Sequence, residues 1–242
     1  MASESYSCDR VVPIDEEPRH QLVIANEYVR AFAVEIAPHE RTLCHRHPND
    51  YLLYVASDAE IISAAPGEEP KRLSYADGHC ELSSAGLVHV VENLRGTPFR
   101  NVVVELLARA GALRRGPSPI LLRGDASVTA LFEDERAAVF HVQIEPGAEM
   151  QIAGPAVVAA PYGNKLGPDA IGDIQVVPNS VSDLVWIPRE RDAVLWGCWD
   201  GAERAIVFQL GRADDEAFSA VPATRKPLRS LRAHADQPES EL

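Results

Sequence analysis

The sequence predicts an all-β protein that forms barrels or sandwiches. Turn signals containing Gly, Pro or Asp recur along the chain, and short runs rich in β-branched and aromatic residues lie between them. No long segment has the 3.6-residue apolar period of a helix. Short strands at this spacing are typical of a sandwich or barrel. The expected strands are 29–36, 51–56, 87–91, 101–107, 138–144, 184–187 and 205–210.

The chain also repeats itself. Segment 31–38 (AFAVEIAP) matches segment 139–146 (VFHVQIEP) at an offset of 108 residues. Segment 99–106 (FRNVVVEL) matches segment 203–210 (ERAIVFQL) at an offset of 104 residues. Two matches in the same order, at nearly the same offset, indicate a tandem duplication of one β unit.

The repeat divides the chain into two barrels and a tail. A segment with two Gly and two Pro, at 110–119, is the expected boundary. We therefore predict an N-terminal barrel over 1–112 and a C-terminal barrel over 113–222. Residues 223–242 are polar and charged, and we expect a flexible tail there.

Composition restricts the partners. The 242 residues carry a formal net charge of −13, which argues against nucleic acid or an anionic membrane surface as partner. No window approaches the roughly 18 apolar residues of a membrane span. The first nine residues contain Glu4 and Asp9 and lack the apolar core of a signal peptide.

The four cysteines have no metal-binding or redox spacing, which predicts reduced thiols and a cytoplasmic location. Cys44 and Cys80 both flank the candidate site described next, so a disulfide between them stays open as an alternative. The cysteines stand at Cys8, Cys44, Cys80 and Cys198.

Three histidines form the strongest candidate site. His45 and His47 are two residues apart, so on a strand their imidazoles point to the same side. His89 follows about forty residues later and can join them from a neighbouring strand. Neutral imidazole binds iron, nickel, zinc and copper, so this pattern predicts a site for one transition metal ion.

A second motif surrounds His89. Gly78, Gly86, His89 and Asn93 follow the spacing Gly-x5-Pro-x-Gly-x2-His-x3-Asn, with Ser84 in the position of the Pro.

The His45/His47 motif and this second one resemble the two sequence motifs of the cupin superfamily, and the whole chain resembles a bicupin. In the first motif His39 stands where Gly is usual. The resemblance implies two tandem double-stranded β-helix, or jelly-roll, barrels. It also implies one divalent metal ion (iron, nickel, zinc or manganese) bound by three His and one Glu.

The fourth ligand departs from that pattern. Tyr51 occupies the Glu position, and Asp50 is the nearest carboxylate. Strand alternation places Tyr51 on the face of the two histidines, whereas a turn at 48–49 would bring Asp50 inward. Both interpretations, with Tyr51 or with Asp50 facing the metal, stay open. We expect a metal set of His45, His47, Asp50 and His89, and we take Tyr51 as the candidate catalytic residue and proton donor if it is not a ligand.

The second half lacks these ligands. The repeat offsets place Ala153, Pro155 and Ala193 at the positions of the three histidines, so we expect a degenerate barrel with a structural role. We interpret the isolated His20 and His141 as ordinary surface or core residues.

These observations favour a metal-dependent enzyme that acts on a small oxygenated metabolite. The resemblance implies a dioxygenase, isomerase or lyase, with the dioxygenase type favoured. The alternative is a non-catalytic bicupin that binds or senses a small molecule or a metal. The expected partner is a small-molecule ligand or substrate, and the expected assembly is a homodimer.

Overall fold

The computed structural model describes residues 6, 8–108, 110, 113–115, 120–160, 183–188, 192–196 and 203–213. The protein is all-β, as predicted, with a short 3-10 helix at Ile14–Glu16. The predicted tail and residues 116–119 of the predicted boundary lie outside the described residues. The division into domains therefore stays a prediction.

Ten strands form the first barrel, and their order along the chain alternates largely between two facing sheets. One sheet has the order β1-β4-β9-β6-β7 and the other β2-β3-β10-β5-β8. The strands are β1 Val12–Pro13, β2 His20–Ala25, β3 Val29–Ile36, β4 His45–Arg46, β5 Tyr51–Val55, β6 Ala59–Ala64, β7 Lys71–Tyr75, β8 Cys80–Ser83, β9 Val88–Asn93 and β10 Phe99–Leu106.

The second half repeats this arrangement. A five-stranded sheet, β13-β14-β19-β16-β17, faces a three-stranded sheet, β12-β15-β18, and β11 pairs with β20. The strands are β11 Arg114–Arg115, β12 Ile120–Arg123, β13 Ala126–Glu133, β14 Ala137–Ile144, β15 Glu149–Ala153, β16 Ala156–Ala159, β17 Leu184–Ile187, β18 Asp192–Trp196, β19 Glu203–Leu210 and β20 Arg212–Ala213.

The sequence repeat matches equivalent strands. The two matched segments fall on β3 and β10 in the first half, and on β14 and β19 in the second. β3 pairs antiparallel with β10 over eight residues, from Phe99 opposite Ile36 to Leu106 opposite Val29. β14 pairs with β19 over eight residues in the corresponding register. The tandem double-stranded β-helix predicted from the repeat and the motifs is therefore present.

The central strands of the β2-β3-β10-β5-β8 sheet and of the β13-β14-β19-β16-β17 sheet are buried on both faces. Along β3, Ala31 and Ala33 belong to a core that also contains Val139 and Phe208 of the second half. The alternate residues, including Phe32, point into the interior of the first barrel. Burial on both faces explains why these strands are almost continuously apolar rather than alternating.

The cysteine prediction is wrong for two of the four residues. Cys8 and Cys44 form a disulfide with a Cα–Cα distance of 5.4 Å. Cys80, the expected partner of Cys44 in the alternative prediction, is a free thiol. The short parallel pairing of β1 with β4, Val12 opposite His45, brings residue 8 beside residue 44. The cysteines therefore no longer support a cytoplasmic location, which stays a prediction.

Among the described residues, no helix is both long and apolar enough to cross a bilayer.

Candidate metal centre

Four buried imidazoles converge inside the first barrel. His20 begins β2, His45 begins β4, His47 follows β4, and His89 lies on β9. The Nε2 atom of His47 lies 3.2 Å from Nε2 of His45 and 3.3 Å from Nε2 of His89. One ring nitrogen of each of His20, His45 and His47 lies within 4.8 Å of those of the other two.

Strand pairing and a tight turn hold three of these histidines in place. His45 and His89 are direct partners across the β4–β9 pair. Beyond β4, the backbone N–H of His47 donates to the carbonyl of Leu87, and the carbonyl of His47 accepts from the N–H of Gly86. Gly86 has a φ of +91°, a conformation that residues with a Cβ rarely adopt. This turn explains why the motif glycine and the histidine pair occur together.

The last motif residue has a structural role. The side-chain amide of Asn93 contacts the carbonyls of Ile36, Ala37 and Thr97, and its oxygen accepts from the N–H of Arg95. Asn93 is fully buried and ties the end of β9 to the turn after β3. That turn leads into the segment that carries His45.

In three of the imidazoles, the Nδ1 atom, which points away from the cluster, has a hydrogen-bonding partner. Nδ1 of His20 lies 2.8 Å from the carboxylate of Glu17, and Nδ1 of His45 lies 2.9 Å from the carbonyl oxygen of Leu43. Nδ1 of His89 lies 3.0 Å from Oγ of Ser63. Because Nδ1 of His20 and of His45 faces an oxygen acceptor, that atom carries the proton, and Nε2 presents a lone pair to the cluster.

The environment keeps His45, His47 and His89 neutral at pH 7. Burial is the main cause, and neighbouring imidazoles add to it, lowering the pKa of His45 to about 4 and that of His89 to about 3. The same causes lower the pKa of His47. Burial alone would raise the pKa of Glu17, but hydrogen bonds from His20, Leu43 and Arg19 outweigh it and lower this pKa to about 2.

A cavity of about 150 Å³ extends from the imidazoles into the barrel. Its walls are mainly apolar and include Leu53, Leu73 and Phe99. Polar groups on its lining include Tyr51, Tyr75, Glu81, Ser83 and Asn101, together with His20, His47 and His89.

The strand order, the facing sheets and the histidine-lined interior decide the architecture. The chain has the cupin fold. It contains that fold twice, which is the arrangement of a bicupin.

The comparisons with known proteins return cupin structures. A cupin domain from Bordetella pertussis Tohama I is 26% identical and aligns over 37% of this chain and 92% of its own, with a TM-score of 0.36. AerE from Microcystis aeruginosa is 12% identical and covers 80% of this chain and 98% of its own, with a TM-score of 0.46. A cupin 2 conserved barrel domain protein from Leptotrichia buccalis is 10% identical, with coverage of 79% and 88% and a TM-score of 0.42. No family model and no curated protein matches the sequence.

The donor set of the first barrel fits a transition metal ion. Two imidazole nitrogens that each lie about 2.1 Å from one ion, 90–109° apart, are roughly 3.0–3.4 Å from each other. The Nε2 separations of 3.2 and 3.3 Å match that range. A single N–H on His47 could satisfy only one of these two contacts, whereas a cation would satisfy both. Outward nitrogens bound to a carboxylate and a carbonyl are typical of metal-ligating histidines.

The predicted ligand Asp50 does not join the cluster. One carboxylate oxygen of Asp50 accepts a hydrogen bond from the N–H of Ala85 at 2.7 Å. The other forms an ion pair with Arg136 of the second half. The carboxylate therefore contacts the second barrel rather than the imidazoles. The turn at 48–49 does not bring Asp50 inward as expected.

Tyr51 lies where strand alternation places it. Its ring stacks on that of His47, with centroids 4.2 Å apart and planes 23° from parallel. Tyr51 lines the cavity and is buried. Burial raises the pKa of its phenol, so the hydroxyl stays protonated at neutral pH. Its catalytic role remains a prediction.

His20 was missed by the sequence interpretation. It pairs with Val34 across the β2–β3 ladder, and its ring centroid lies 4.6 Å from that of His45. His20 stands outside both motifs, and its position depends on a pairing between strands. The one local signal is Glu17 three residues earlier, which holds its Nδ1.

The equivalent region of the second half is filled with aliphatic side chains. Ala193, the counterpart of His89, packs in a core with Met150 and Ile152. Pro155, the counterpart of His47, is buried. In the described part of the chain, the motif histidines of the first barrel have apolar counterparts in the second.

Proposed function

We propose that this bicupin binds one divalent transition metal ion in its first barrel and acts there on a small oxygenated molecule. His20, His45, His47 and His89 would hold the ion. The observation that carries the proposal is the convergence of the Nε2 atoms of His45, His47 and His89. A ring nitrogen of His20 lies within 4.8 Å of those of His45 and His47, and the Nδ1 atoms of His20 and His45 are fixed by Glu17 and Leu43. Iron, nickel, zinc and manganese are the candidate metals.

When bound, such an ion supplies a Lewis acid that polarises a ligand oxygen, and in a redox-active form it supports oxidation. The residues of the chain have separate tasks. His45, His47 and His89 provide neutral donors at pH 7 because their pKa values are lowered by burial. The apolar walls, including Leu53 and Phe99, exclude water from the bound molecule.

Tyr51 is the proposed proton donor. Its ring is fixed against His47, which places the phenol beside the ligand end of the cavity. Its raised pKa keeps the proton on the phenol oxygen until a more basic ligand oxygen takes it. A proton donor at this position is compatible with dioxygenase, isomerase and lyase chemistry, of which the dioxygenase type is the first to test.

One observation favours a non-catalytic alternative. His20 lies beside the three motif histidines and would add a fourth imidazole, which completes a tetrahedral site, and closed tetrahedral zinc sites are structural. In that case the barrel would bind or sense a metal, and ligand molecules would not reach the ion.

Metal analysis of protein purified without a histidine tag tests the proposal. We expect about one metal ion per chain, with loss of the metal in His47→Ala and His89→Ala. His141→Ala is the matched control, because His141 lies on the second barrel beside Arg204. Protein that binds no metal, or variants that keep it, would contradict the proposal.

A second experiment separates the enzyme from the metal-binding alternative. Oxygen uptake is measured with iron- or nickel-loaded protein over diketones, flavonoids, thiols and hydroxy acids, with Tyr51→Phe alongside. Uptake with one of these classes, reduced in Tyr51→Phe, supports the dioxygenase. A site that binds metal but gives no turnover shifts the conclusion to an isomerase, a lyase or the binding role.

A further inference from the structure

We infer that the cavity selects a short ligand whose far end carries a hydrogen-bond donor or a cation, recognised by Glu81. This inference rests on the proposed function, because the near end of the ligand is placed at the histidine cluster. Glu81 has no part in the metal set, and the sequence motifs do not assign it a role.

Strand pairing places Glu81 two residues further along the barrel wall than the level of the histidines, where its side chain is 40% exposed. On the β5–β8 pair, Tyr51 is opposite Ser83 and Leu53 is opposite Glu81. Tyr51 stacks on His47, so the Tyr51–Ser83 pair marks the level of the imidazoles. Glu81 and Ser83 share a face of β8, so Glu81 lies about 6.7 Å further along the strand. Both of them line the cavity.

The charge of Glu81 is not matched by a basic residue in the cavity. Among the described residues that line the cavity, Glu81 is the single Asp, Glu, Lys or Arg. Its partners are Nε2 of His79 at 3.1 Å and the hydroxyl of Tyr75, which donates at 3.5 Å. A carboxylate has about four acceptor positions, so these two contacts leave capacity for a ligand donor. Because no Lys or Arg is present on the described lining, the carboxylate of Glu81 attracts a positive or hydrogen-bond-donating group.

Size and polarity define the rest of the ligand. A volume of about 150 Å³ is the size of a benzene-binding cavity, which limits the ligand to roughly six to nine non-hydrogen atoms. Leu53, Leu73 and Phe99 form apolar walls, so the middle of the ligand is apolar. Oxygen atoms at the near end suit the metal site. The resulting class is a short carboxylate or carbonyl compound with a terminal ammonium or hydroxyl group.

Three probes that differ at one end test this inference. They are butyrate, 4-hydroxybutyrate and 4-aminobutyrate, whose common carboxylate is placed at the metal. Dissociation constants are measured by calorimetry or ligand-observed NMR on zinc-loaded protein. The variants are Glu81→Gln and, as control, Glu60→Gln, because Glu60 pairs with Arg72 on the exposed side of the neighbouring sheet.

We expect wild type to bind 4-aminobutyrate at least about fivefold more tightly than butyrate, with 4-hydroxybutyrate between them, because a charge-assisted hydrogen bond is gained at a partly exposed carboxylate. The preference should disappear in Glu81→Gln and persist in Glu60→Gln. Equal binding of the three probes, a preference that survives in Glu81→Gln, or no binding of any probe would overturn the inference.

Zinc stoichiometry, measured on the same samples, distinguishes a failure of the Glu81 inference from a failure of the proposed metal site. If zinc binds and the preference is missing, the inference fails and the proposed metal site stands. If wild type binds no zinc, the proposed function fails and the inference falls with it.

Discussion

The carboxylate of Glu17 orients His20 directly and His45 through the backbone. One oxygen lies 2.8 Å from Nδ1 of His20, and the other accepts the N–H of Leu43 at 3.1 Å. The carbonyl of Leu43 in turn accepts the Nδ1–H of His45 at 2.9 Å. A single buried carboxylate thus sets the ring orientation and tautomer of two imidazoles. Partners of this kind raise the basicity of metal-ligating histidines.

Replacing Glu17 should therefore weaken metal binding without removing a ligand. We expect Glu17→Gln to lower the affinity for zinc by about 10- to 100-fold, the usual effect of losing such a partner. Competition titrations with a chromophoric chelator measure this change. Glu16→Gln is the control, since Glu16 is exposed on the same 3-10 helix. Equal affinity in the two variants would show that Glu17 has no influence on the site.

The structure and the sequence motifs give different fourth ligands: the structure favours His20, and the motifs predicted Asp50. His20→Ala should lower metal affinity strongly because an imidazole leaves the cluster. Asp50→Asn should leave affinity nearly unchanged because the Asp50 carboxylate binds Ala85 and Arg136 instead. The same chelator titration compares them. A large loss in Asp50→Asn together with a small loss in His20→Ala would restore the ligand set expected from the motifs.

The turn at Gly86 should be sensitive to a side chain. Gly86 has a φ of +91° and its N–H binds the carbonyl of His47, so Gly86→Ala strains the backbone beside a ligand. We expect a loss of roughly 1 kcal/mol or more in the free energy of unfolding. Urea denaturation gives the value. Gly96→Ala is the matched control, because a Cβ at Gly96 meets no atom within 4 Å and its φ is not positive. Similar stability in both variants would show that the positive φ of Gly86 does not make a side chain costly at this turn.

The histidine cluster should make the metal-free protein sensitive to mild acid. His45 and His89 have folded pKa values of about 4 and about 3, below the ordinary value of 6.5. The unfolded chain therefore binds more protons than the folded chain below pH 6.5, so stability falls as the pH drops from 6.5 towards 4. Urea unfolding at pH 7.5, 6 and 5, in the presence of a chelator, tests this dependence.

A separate pH window and one control variant identify the histidine cluster as the source of the pH effect. The lowered pKa of Glu17 contributes stability that is lost between about pH 4.5 and 2, a separate and more acidic window. His141→Gln should keep most of the dependence, because His141 is in the second barrel and outside the cluster. A free energy of unfolding that stays constant between pH 7.5 and 5 would contradict the neutral, buried state of the imidazoles.

Local patterns predicted the strands that are buried on both faces. The apolar run 29–36 coincides with β3, and the runs at 101–107 and 138–144 overlap β10 and β14. Strands with polar or half-exposed residues, such as β7 with the sequence KRLSY, were not predicted. In such a strand only one or two side chains enter the core, so the sequence carries little periodic signal.

At the site, sequence spacing predicted the positions of residues within a motif. The residues outside the motifs are positioned by pairing between strands that are distant in sequence. Alternation correctly placed Tyr51 on the face of His45 and His47. His20 reaches the cluster through the β2–β3 ladder, and Cys8 reaches Cys44 through the β1–β4 pair. Both depend on which strands become neighbours, and neither motif encodes that choice.

The most direct test of the metal centre is an anomalous-difference map from crystals of the protein loaded with zinc. The account predicts one strong peak in the first barrel, with the Nε2 atoms of His20, His45, His47 and His89 at about 2.0–2.1 Å from it. Asp50 should remain paired with Arg136 in the same map. A map with no peak at these imidazoles, or a peak coordinated by Asp50 in place of His20, would contradict the account.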